Sequence, residues 1–354
     1  MDADSPRLSV VTTVYNGERY LAEAIESILG QTFRDFEYLL VDDASTDTSP
    51  EILDYYARQD RRIRVLRNAS NSNVSRSLNR AMETATGVYF ANLDQDDIAY
   101  PHRLERQVAF LDSHPHVAVV GAQAMSIDET GAERHAMKSP QAPEMARWHI
   151  LFGTPILHST AMMRRALALA AGGYSVSQWY VNDYILFARL MRSHQLANLS
   201  ETLVAYRRHS GQTASVFSKP QRGQAWLLIH SMLAERLGLR VPLDDIGMLF
   251  DGVRGLRLEH SASIMRVTDL LQAIYTRYLD VEQPASTIAA QIEMDCAWRL
   301  LTIAWVHRHS NRTESRIAFR RALAYDPKLM HHPGTRVRLR RLADKEHRQA
   351  TAPR

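Results

Sequence analysis

The first 120 residues alternate between short apolar segments and amphipathic stretches with helical spacing. The apolar segments begin at residues 8, 36, 63 and 88, and most of their residues are apolar. The stretches between them, such as LAEAIESIL, repeat apolar residues three and four positions apart. Strands that are apolar on both faces are typical of a parallel sheet with helices on both sides. The pattern therefore predicts an α/β fold with a mainly parallel sheet flanked by helices.

The pattern changes beyond about residue 215. Long amphipathic stretches follow without any strand alternation, for example QAWLLIHSMLAERLGL and SIMRVTDLLQAIYTRYL. We therefore expect two parts: a sheet-containing domain over residues 1–215, and a helical C-terminal region over residues 216–354. The last residues, from 331 onward, form a tail rich in arginine.

Composition limits the cellular setting. Among 354 residues there is one cysteine, Cys296, which excludes an internal disulfide framework and a cysteine-based zinc site, so a reducing compartment is expected. The N-terminal segment MDADSPRLSV lacks the basic and apolar parts of a signal peptide, and no run of 18 apolar residues occurs. A formal charge of +4 is mild. We expect a cytoplasmic protein without a nucleic-acid partner.

Polar side chains follow three of the predicted strands at the point where each strand ends. Thr13 and Tyr15 lie at the end of the first strand, Asp43 follows the second, and Asp94 and Asp96 follow the apolar segment VYFA. Ligands of open α/β sheets bind outside the carboxyl ends of the strands. These side chains are therefore expected to meet in one crevice.

The segment NLDQDD crowds Asp94, Asp96 and Asp97 into four positions. Neighbouring carboxylates repel and raise one another's pKa unless water or a cation offsets their charge. One interpretation is a solvated turn in which an aspartate caps the helix that starts near Pro101. The other is a site for a bound cation, and the segment alone does not decide between them.

An ordered series of motifs resembles a known family. The segments are TTVYNGERYLAEAIESILGQTF, VDDASTD, NRAMETATGVYFANLDQDD, HSTAMMRR, NDYILFARL and YRRHSGQTAS, over roughly residues 7–215. Together they resemble the family-2 glycosyltransferases of bacterial surface polysaccharide synthesis. The resemblance implies a GT-A fold, a nucleotide-sugar donor, a divalent cation (Mn²⁺ or Mg²⁺), and sugar transfer with inversion to a glycan or lipid-linked acceptor.

The resemblance also implies roles for the strand-end residues. Thr13 and Tyr15 would meet the nucleotide base, and Asp43 would accept a hydrogen bond from a ring N–H of that base. Asp94 and Asp96 would form the metal and ribose-phosphate site, where a cation stabilises the charge of the leaving diphosphate. On this interpretation Asp97 caps the following helix.

His209 would supply a further metal ligand, because neutral imidazole binds divalent metals.

The catalytic base implied by the resemblance is Asp183, in VNDYILFARL, which would take the proton of the acceptor hydroxyl. The acidic residue that precedes this base in the family is replaced by Asn182, which puts acceptor positioning or tuning of the base in question. His158 would line the donor or acceptor pocket. Either Arg207 or Arg208 would pair with the diphosphate.

Two other functions compete with glycosyl transfer. A sugar nucleotidyltransferase would favour a glycine-rich phosphate loop after the first strand, whereas TTVYNGERY has one glycine. A nucleotide-sugar-binding module without turnover is the second alternative, and Asn182 is its only hint.

The basic tail suggests peripheral contact with an anionic membrane, with a solvated tail as the alternative.

Overall fold

A computed structural model describes residues 5–212, 218–256 and 263–331 of the chain. The strands are β1 Leu8–Val14, β2 Phe36–Asp42, β3 Ile63–Arg67, β4 Tyr89–Asn92, β5 Ile98–Ala99, β6 Val117–Ile127, β7 Glu133–Met137, β8 Met162–Arg164 and β9 Gln195–Arg207. The first helices are α1 Leu21–Leu29, α2 Ser49–Gln59, α3 Val74–Thr84, α4 Arg103–Ser113, α5 Pro143–His149, α6 Arg165–Ala170 and α7 Asn182–Leu190. They are followed by α8 Ser218–Leu237, α9 Leu243–Val253, α10 Ile264–Glu282, α11 Ser286–His307 and α12 Arg312–Tyr325.

The strands form one sheet in the order β3-β2-β1-β4-β8-β6-β9-β5, and β7 pairs with β6. Strands β1 to β4 are parallel, as the apolar pattern predicts. Beyond β4 the sheet is mixed, because β8 is antiparallel to both β4 and β6, whereas β9 is parallel to β6. The predicted α/β class is confirmed.

The central position of β1 explains the apolar composition of its segment. Leu8, Val10 and Val11 are fully buried, and β2 is buried along its whole length. Helix α1 covers the sheet with the side chains that the helical spacing predicts: Leu21, Ala24, Ile25 and Ile28. Removal of this apolar surface from water is the main favourable term in folding. The buried strands leave their carboxyl ends, with the polar residues, at one edge of the sheet.

The chain divides into two compact units, one up to Ala225 and one from Trp226 onward. Helix α8 runs through this division. In the second unit, helices α9 to α12 enclose buried apolar side chains that include Ile246, Ile274 and Leu300.

None of the helices in the described ranges is long and apolar enough to cross a membrane. The arginine-rich tail lies outside the described residues, apart from its first position, residue 331.

A buried polar contact fixes the start of β1 against the turn before β4. The Ser9 hydroxyl donates to Glu37 Oε1 at 2.7 Å and accepts the Gly87 N–H at 2.9 Å. Thr86 also donates to Glu37, through its backbone N–H and its hydroxyl. A side chain at position 87 has no room, because its Cβ would lie 2.5 Å from the backbone nitrogen of Ser9.

We expect Gly87→Ala to destabilise the protein by roughly 1–3 kcal/mol, because backbone atoms must move to accept the methyl group. Gly223→Ala is the matched control, since an added Cβ there meets nothing within 4 Å. That change in helix α8 should stabilise the protein by about 0.5–1 kcal/mol. Chemical denaturation of both variants measures the difference, and equal stabilities would contradict the packing argument.

Candidate active site

The loops after β1 and β4 are held side by side by one glutamine. Gln95 Oε1 accepts the Tyr15 N–H at 2.9 Å, and Gln95 Nε2 donates to the Tyr15 carbonyl at 3.2 Å. Gly17 makes this approach possible, because a Cβ there would lie 2.5 Å from Gln95 Oε1. The Tyr15 side chain is 46% exposed and Thr13 is partly exposed beside it. The structure therefore places both residues at the edge where the sequence predicted a crevice.

Asp43 is buried at the end of β2 and is held by the loop that precedes α3. Its Oδ1 accepts hydrogen bonds from Asn68 Nδ2 at 2.6 Å, from the Ser72 N–H at 3.0 Å and from the Ser72 hydroxyl at 2.9 Å. Arg80 donates to Asn68 Oδ1 and so orients this amide. Three donors fix the carboxylate in one orientation, with Oδ2 as the oxygen that makes no hydrogen bond within the described residues.

Asp96 and His209 form the closest carboxylate–imidazole pair at this edge. Their Oδ2 and Nε2 atoms are 2.7 Å apart, although the residues are 113 positions apart in the chain. Burial, together with the charge of Asp94, raises the pKa of Asp96. Asp94 itself accepts a hydrogen bond from Asn92 at 2.8 Å and lies 3.7 Å from His158. The sequence-predicted pair Asp94 and Asp96 thus lies at one site, but the two carboxylates face different partners.

Asp97 is not the helix cap that the sequence suggested. It is fully buried, and its Oδ1 accepts the backbone N–H of Arg207 at 2.8 Å. Helix α4 begins only at Arg103, and the residue at its cap position is His102. Within the described residues Asp97 Oδ2 has no hydrogen-bond partner. Burial and the charges of Asp96 and Asp94 raise the pKa of Asp97 well above its ordinary value.

A buried arginine lies close to this acidic group and was missed by the sequence analysis. Arg103 has no exposed surface, donates to the Asn92 carbonyl at 2.7 Å and to Gln107 Oε1 at 3.1 Å. Burial lowers the pKa of Arg103 to about 10, against the opposing charges of Asp97 and Asp94. The sequence pattern could have indicated its burial, because Arg103 and Gln107 lie on the same helical face of α4 as the buried apolar residues.

His158 links Asp94 to Tyr174. Its Nε2 lies 3.0 Å from the buried Tyr174 hydroxyl, and its Nδ1 lies 3.1 Å from Asn92 Nδ2. Burial disfavours the charged ring, but the nearby carboxylate of Asp94 and the charge of Asp183 raise the pKa of His158. His158 therefore lines the same edge, between Asp94, which follows β4, and the start of α7.

The start of α7 presents Asp183 to this group. Burial raises the pKa of Asp183, an effect that the charge of Asp94 increases and the charge of His158 opposes. Asp183 Oδ1 accepts the N–H of Tyr184 at 2.7 Å. Asn182 is buried and donates to the Ser75 hydroxyl at 2.9 Å. The asparagine thus joins α7 to α3 and leaves Asp183 as the carboxylate at the site.

Of the two arginines considered for the diphosphate, Arg207 is buried and Arg208 is exposed. The Arg207 guanidinium contacts Glu23, the backbone carbonyl of Asp96 and the ring of Tyr20. Arg208 lies over the ring of Tyr206 instead, at 4.9 Å. The donors of Arg207 face protein oxygens, and pairing of Arg207 or Arg208 with the diphosphate stays a prediction.

The donor set suits a hard divalent cation. Among the described residues no three histidine, cysteine or acidic side chains are grouped to hold a metal ion. Asp96 and His209 nevertheless place a carboxylate oxygen and an imidazole nitrogen side by side. Magnesium-like ions are often held by one or two protein groups together with substrate phosphates. The two side chains fit such a cation, and Asp94, Asp96 and His209 all stay predictions as its ligands.

The neighbours found by comparison of structures share the fold. TarS of S. aureus in complex with UDP-GlcNAc gives a TM-score of 0.55 at 17% identity, over 92% of each chain. The mannosyltransferase PcManGT of Pyrobaculum calidifontis, in complex with GDP-Man and Mn²⁺, gives 0.52 at 18% identity, over 92% of this chain and 87% of that one. The predicted GT-A fold, with a helical C-terminal region, is confirmed.

The sequence comparisons point the same way. The model of "Glycosyl transferase family 2" matches residues 9–170. The glycosyltransferase EpsE of Bacillus subtilis is 44% identical over 173 residues, which is 48% of this chain and 60% of EpsE. An uncharacterized glycosyltransferase of Rickettsia prowazekii is 30% identical over 220 residues, which is 60% of this chain and 67% of that protein. The chain belongs to the family-2 glycosyltransferases.

Proposed function

We propose that the chain transfers a sugar from a nucleotide-sugar donor to a glycan or lipid-linked acceptor, with inversion at the anomeric carbon and with the help of Mn²⁺ or Mg²⁺. The observation that carries this proposal is that two carboxylates with different surroundings lie at one edge of the sheet. Asp96 pairs with His209, whereas Asp183 is a partly buried carboxylate whose pKa is raised. Carboxylates in such different environments suit different roles in one reaction.

In the proposed reaction Asp183 is the general base. The acceptor oxygen attacks the anomeric carbon as its proton passes to Asp183, and the bond from that carbon to the diphosphate oxygen breaks with its electron pair on the leaving nucleoside diphosphate. Attack opposite to the leaving group inverts the anomeric configuration. A raised pKa brings a carboxylate closer to the operating pH and so favours proton uptake. The N-terminus of α7 fixes the carboxylate, since Asp183 Oδ1 accepts the N–H of Tyr184.

The donor nucleotide is assigned to the edge formed by the ends of β1, β2 and β4. Tyr15 offers an exposed ring on which a base can stack, and Asp43 offers a fixed acceptor for a ring N–H. Asp96 and His209 would hold the cation, which supplies charge stabilisation for the departing diphosphate. TarS was solved with UDP-GlcNAc and PcManGT with GDP-Man, so the shared fold accepts donors with either base.

The alternatives are less well supported. A sugar nucleotidyltransferase would favour a glycine-rich phosphate loop after β1. The segment there has one glycine, Gly17, which packs against Gln95. The hint of a binding module without turnover was Asn182, but this residue has a structural role through Ser75 while Asp183 is retained at the site.

The kind of acceptor is proposed from the family resemblance. The role of the basic tail is proposed from its charge. Surface polysaccharides are often built on lipid carriers in that family, and clustered arginines attract anionic headgroups within about one Debye length. We therefore extend the proposal to peripheral contact with the inner face of the membrane.

We expect Asp96→Ala to lower sugar transfer by roughly 10²–10³-fold and to remove the effect of Mn²⁺ on donor binding, because the cation loses its carboxylate ligand. Stability should be unchanged or slightly higher, since the variant relieves repulsion at a carboxylate whose pKa is raised. Turnover and thermal shift with nucleotide sugars, with and without Mn²⁺, measure both effects.

Asp54→Ala is the control, because this aspartate forms a surface ion pair with Arg67. Normal turnover by Asp96→Ala would exclude the metal site.

We expect Asp183→Asn to bind the donor normally and to lose roughly 10²–10⁴-fold in turnover, because the amide keeps the shape but takes no proton. Donor affinity measured by calorimetry, beside single-turnover rates, separates these effects. If affinity and turnover fall together, Asp183 belongs to the donor site or to the fold and is not the base. Asp54→Asn provides the same chemical change on the surface of α2.

A further inference from the structure

The proposed reaction does not use the ion pair that the buried Arg207 forms with the exposed Glu23. Arg207, the last residue of β9, is 2% exposed at its side chain, and Glu23 of α1 is 57% exposed. Arg207 Nη2 donates to Glu23 Oε2 at 2.5 Å. This contact joins residues that are 184 positions apart in the chain.

Arg207 is bonded to both residues that follow Gln95 in the acidic loop. Its backbone N–H donates to Asp97 Oδ1 at 2.8 Å, and its Nε donates to the Asp96 carbonyl at 2.9 Å. Two residues further on, His209 contacts the Asp96 carboxylate. Arg207 therefore sets the distance between the two side chains assigned to the cation.

The guanidinium has only one charged partner among the described residues. Its Nη1 donates to the carbonyls of Asp128 and Glu129, at 3.3 and 3.4 Å, and the ring of Tyr20 lies 4.5 Å from its central carbon. Glu23 supplies the balancing charge. Without that carboxylate the guanidinium is held only by neutral groups, and its Nε bond to the Asp96 carbonyl is less firmly fixed.

We infer that Glu23 and Arg207 are a positioning pair for the cation: Glu23 holds the Arg207 guanidinium in place, and Arg207 fixes Asp96 next to His209. This inference rests on the proposed function, because it takes Asp96 and His209 as the cation ligands. Loss of the Glu23 charge weakens the hold on the guanidinium and so loosens the backbone of Asp96, one of the two proposed ligands. Neither residue needs to touch the substrate for this effect.

Glu23→Gln tests the pair with little risk to the fold, because the glutamate is mostly exposed. Glu26→Gln is the matched control: Glu26 is also an exposed glutamate of α1, but its Oε1 accepts the Tyr56 hydroxyl at 2.5 Å. Mn²⁺ binding is followed by electron paramagnetic resonance of the free ion, in the presence of UDP and separately of GDP. Melting temperatures report on the fold.

We expect Glu23→Gln to need about tenfold more Mn²⁺ for half-saturation, the scale seen when residues that support metal ligands are changed. Glu26→Gln should stay within about twofold of the original protein, and all three should melt at similar temperatures. If the original protein binds Mn²⁺ and Glu23→Gln binds it equally well, the positioning role is wrong and the proposed function stands. If the original protein binds no Mn²⁺ with either nucleotide, both the metal-dependent function and the inference fail.

Discussion

Repulsion among carboxylates is the constraint on which the organisation of this site depends. Three aspartates occupy four consecutive positions after β4: Asp94, Asp96 and Asp97. Asp97 is fully buried. Burial in a medium of low polarity makes each charge costly and makes each pair of like charges repel more strongly. Two arginines offset this repulsion. Arg103 is a buried cation nearby, and Arg207 donates hydrogen bonds to Asp97 and to the backbone carbonyl of Asp96. The cation of the proposed reaction would complete this compensation.

The same constraint explains why the site draws on distant parts of the chain. Helix α4 supplies Arg103, the last residue of β9 is Arg207, and His209 follows it. The segment before β8 supplies His158. Each of these elements is also bound into the sheet or packed on it, so the charges are held in place by the apolar core. A loop of aspartates could not fix its own geometry. The surrounding elements do so through hydrogen bonds to both its side chains and its backbone.

Most of the fold of the first part could be predicted from the sequence, because apolar periodicity directly reflects burial. Strands β1, β2 and β4 and helix α1 occur where that pattern places them. The rule that polar strand ends meet at one edge also brought Tyr15, Asp43 and Asp96 together. The resemblance to a known family directed attention to His209, whose contact with Asp96 spans 113 positions and leaves no local trace.

The directions of individual side chains were not predictable in the same way. Asp97 precedes a helix and so suggested a cap, but its partner is the backbone of Arg207, which no local pattern indicates. Arg207 and Arg208 are chemically alike, and only the path of β9 decides which one is buried. Gln95 lies within an acidic motif and drew no attention, although it joins two strand ends. These contacts depend on the tertiary structure.

The position of β9 has a consequence for the order of events during synthesis. Parallel strands β1 to β4 can pair once about the first quarter of the chain has left the ribosome, because all of them precede residue 93. The buried Asp97 must then wait for Arg207, 110 residues later, before its Oδ1 gains the backbone N–H. Contacts of such long range form late, because closing long loops is entropically costly. Until β9 is complete, Asp97 therefore has water in place of the Arg207 N–H, and the acidic loop stays hydrated at the edge of the sheet.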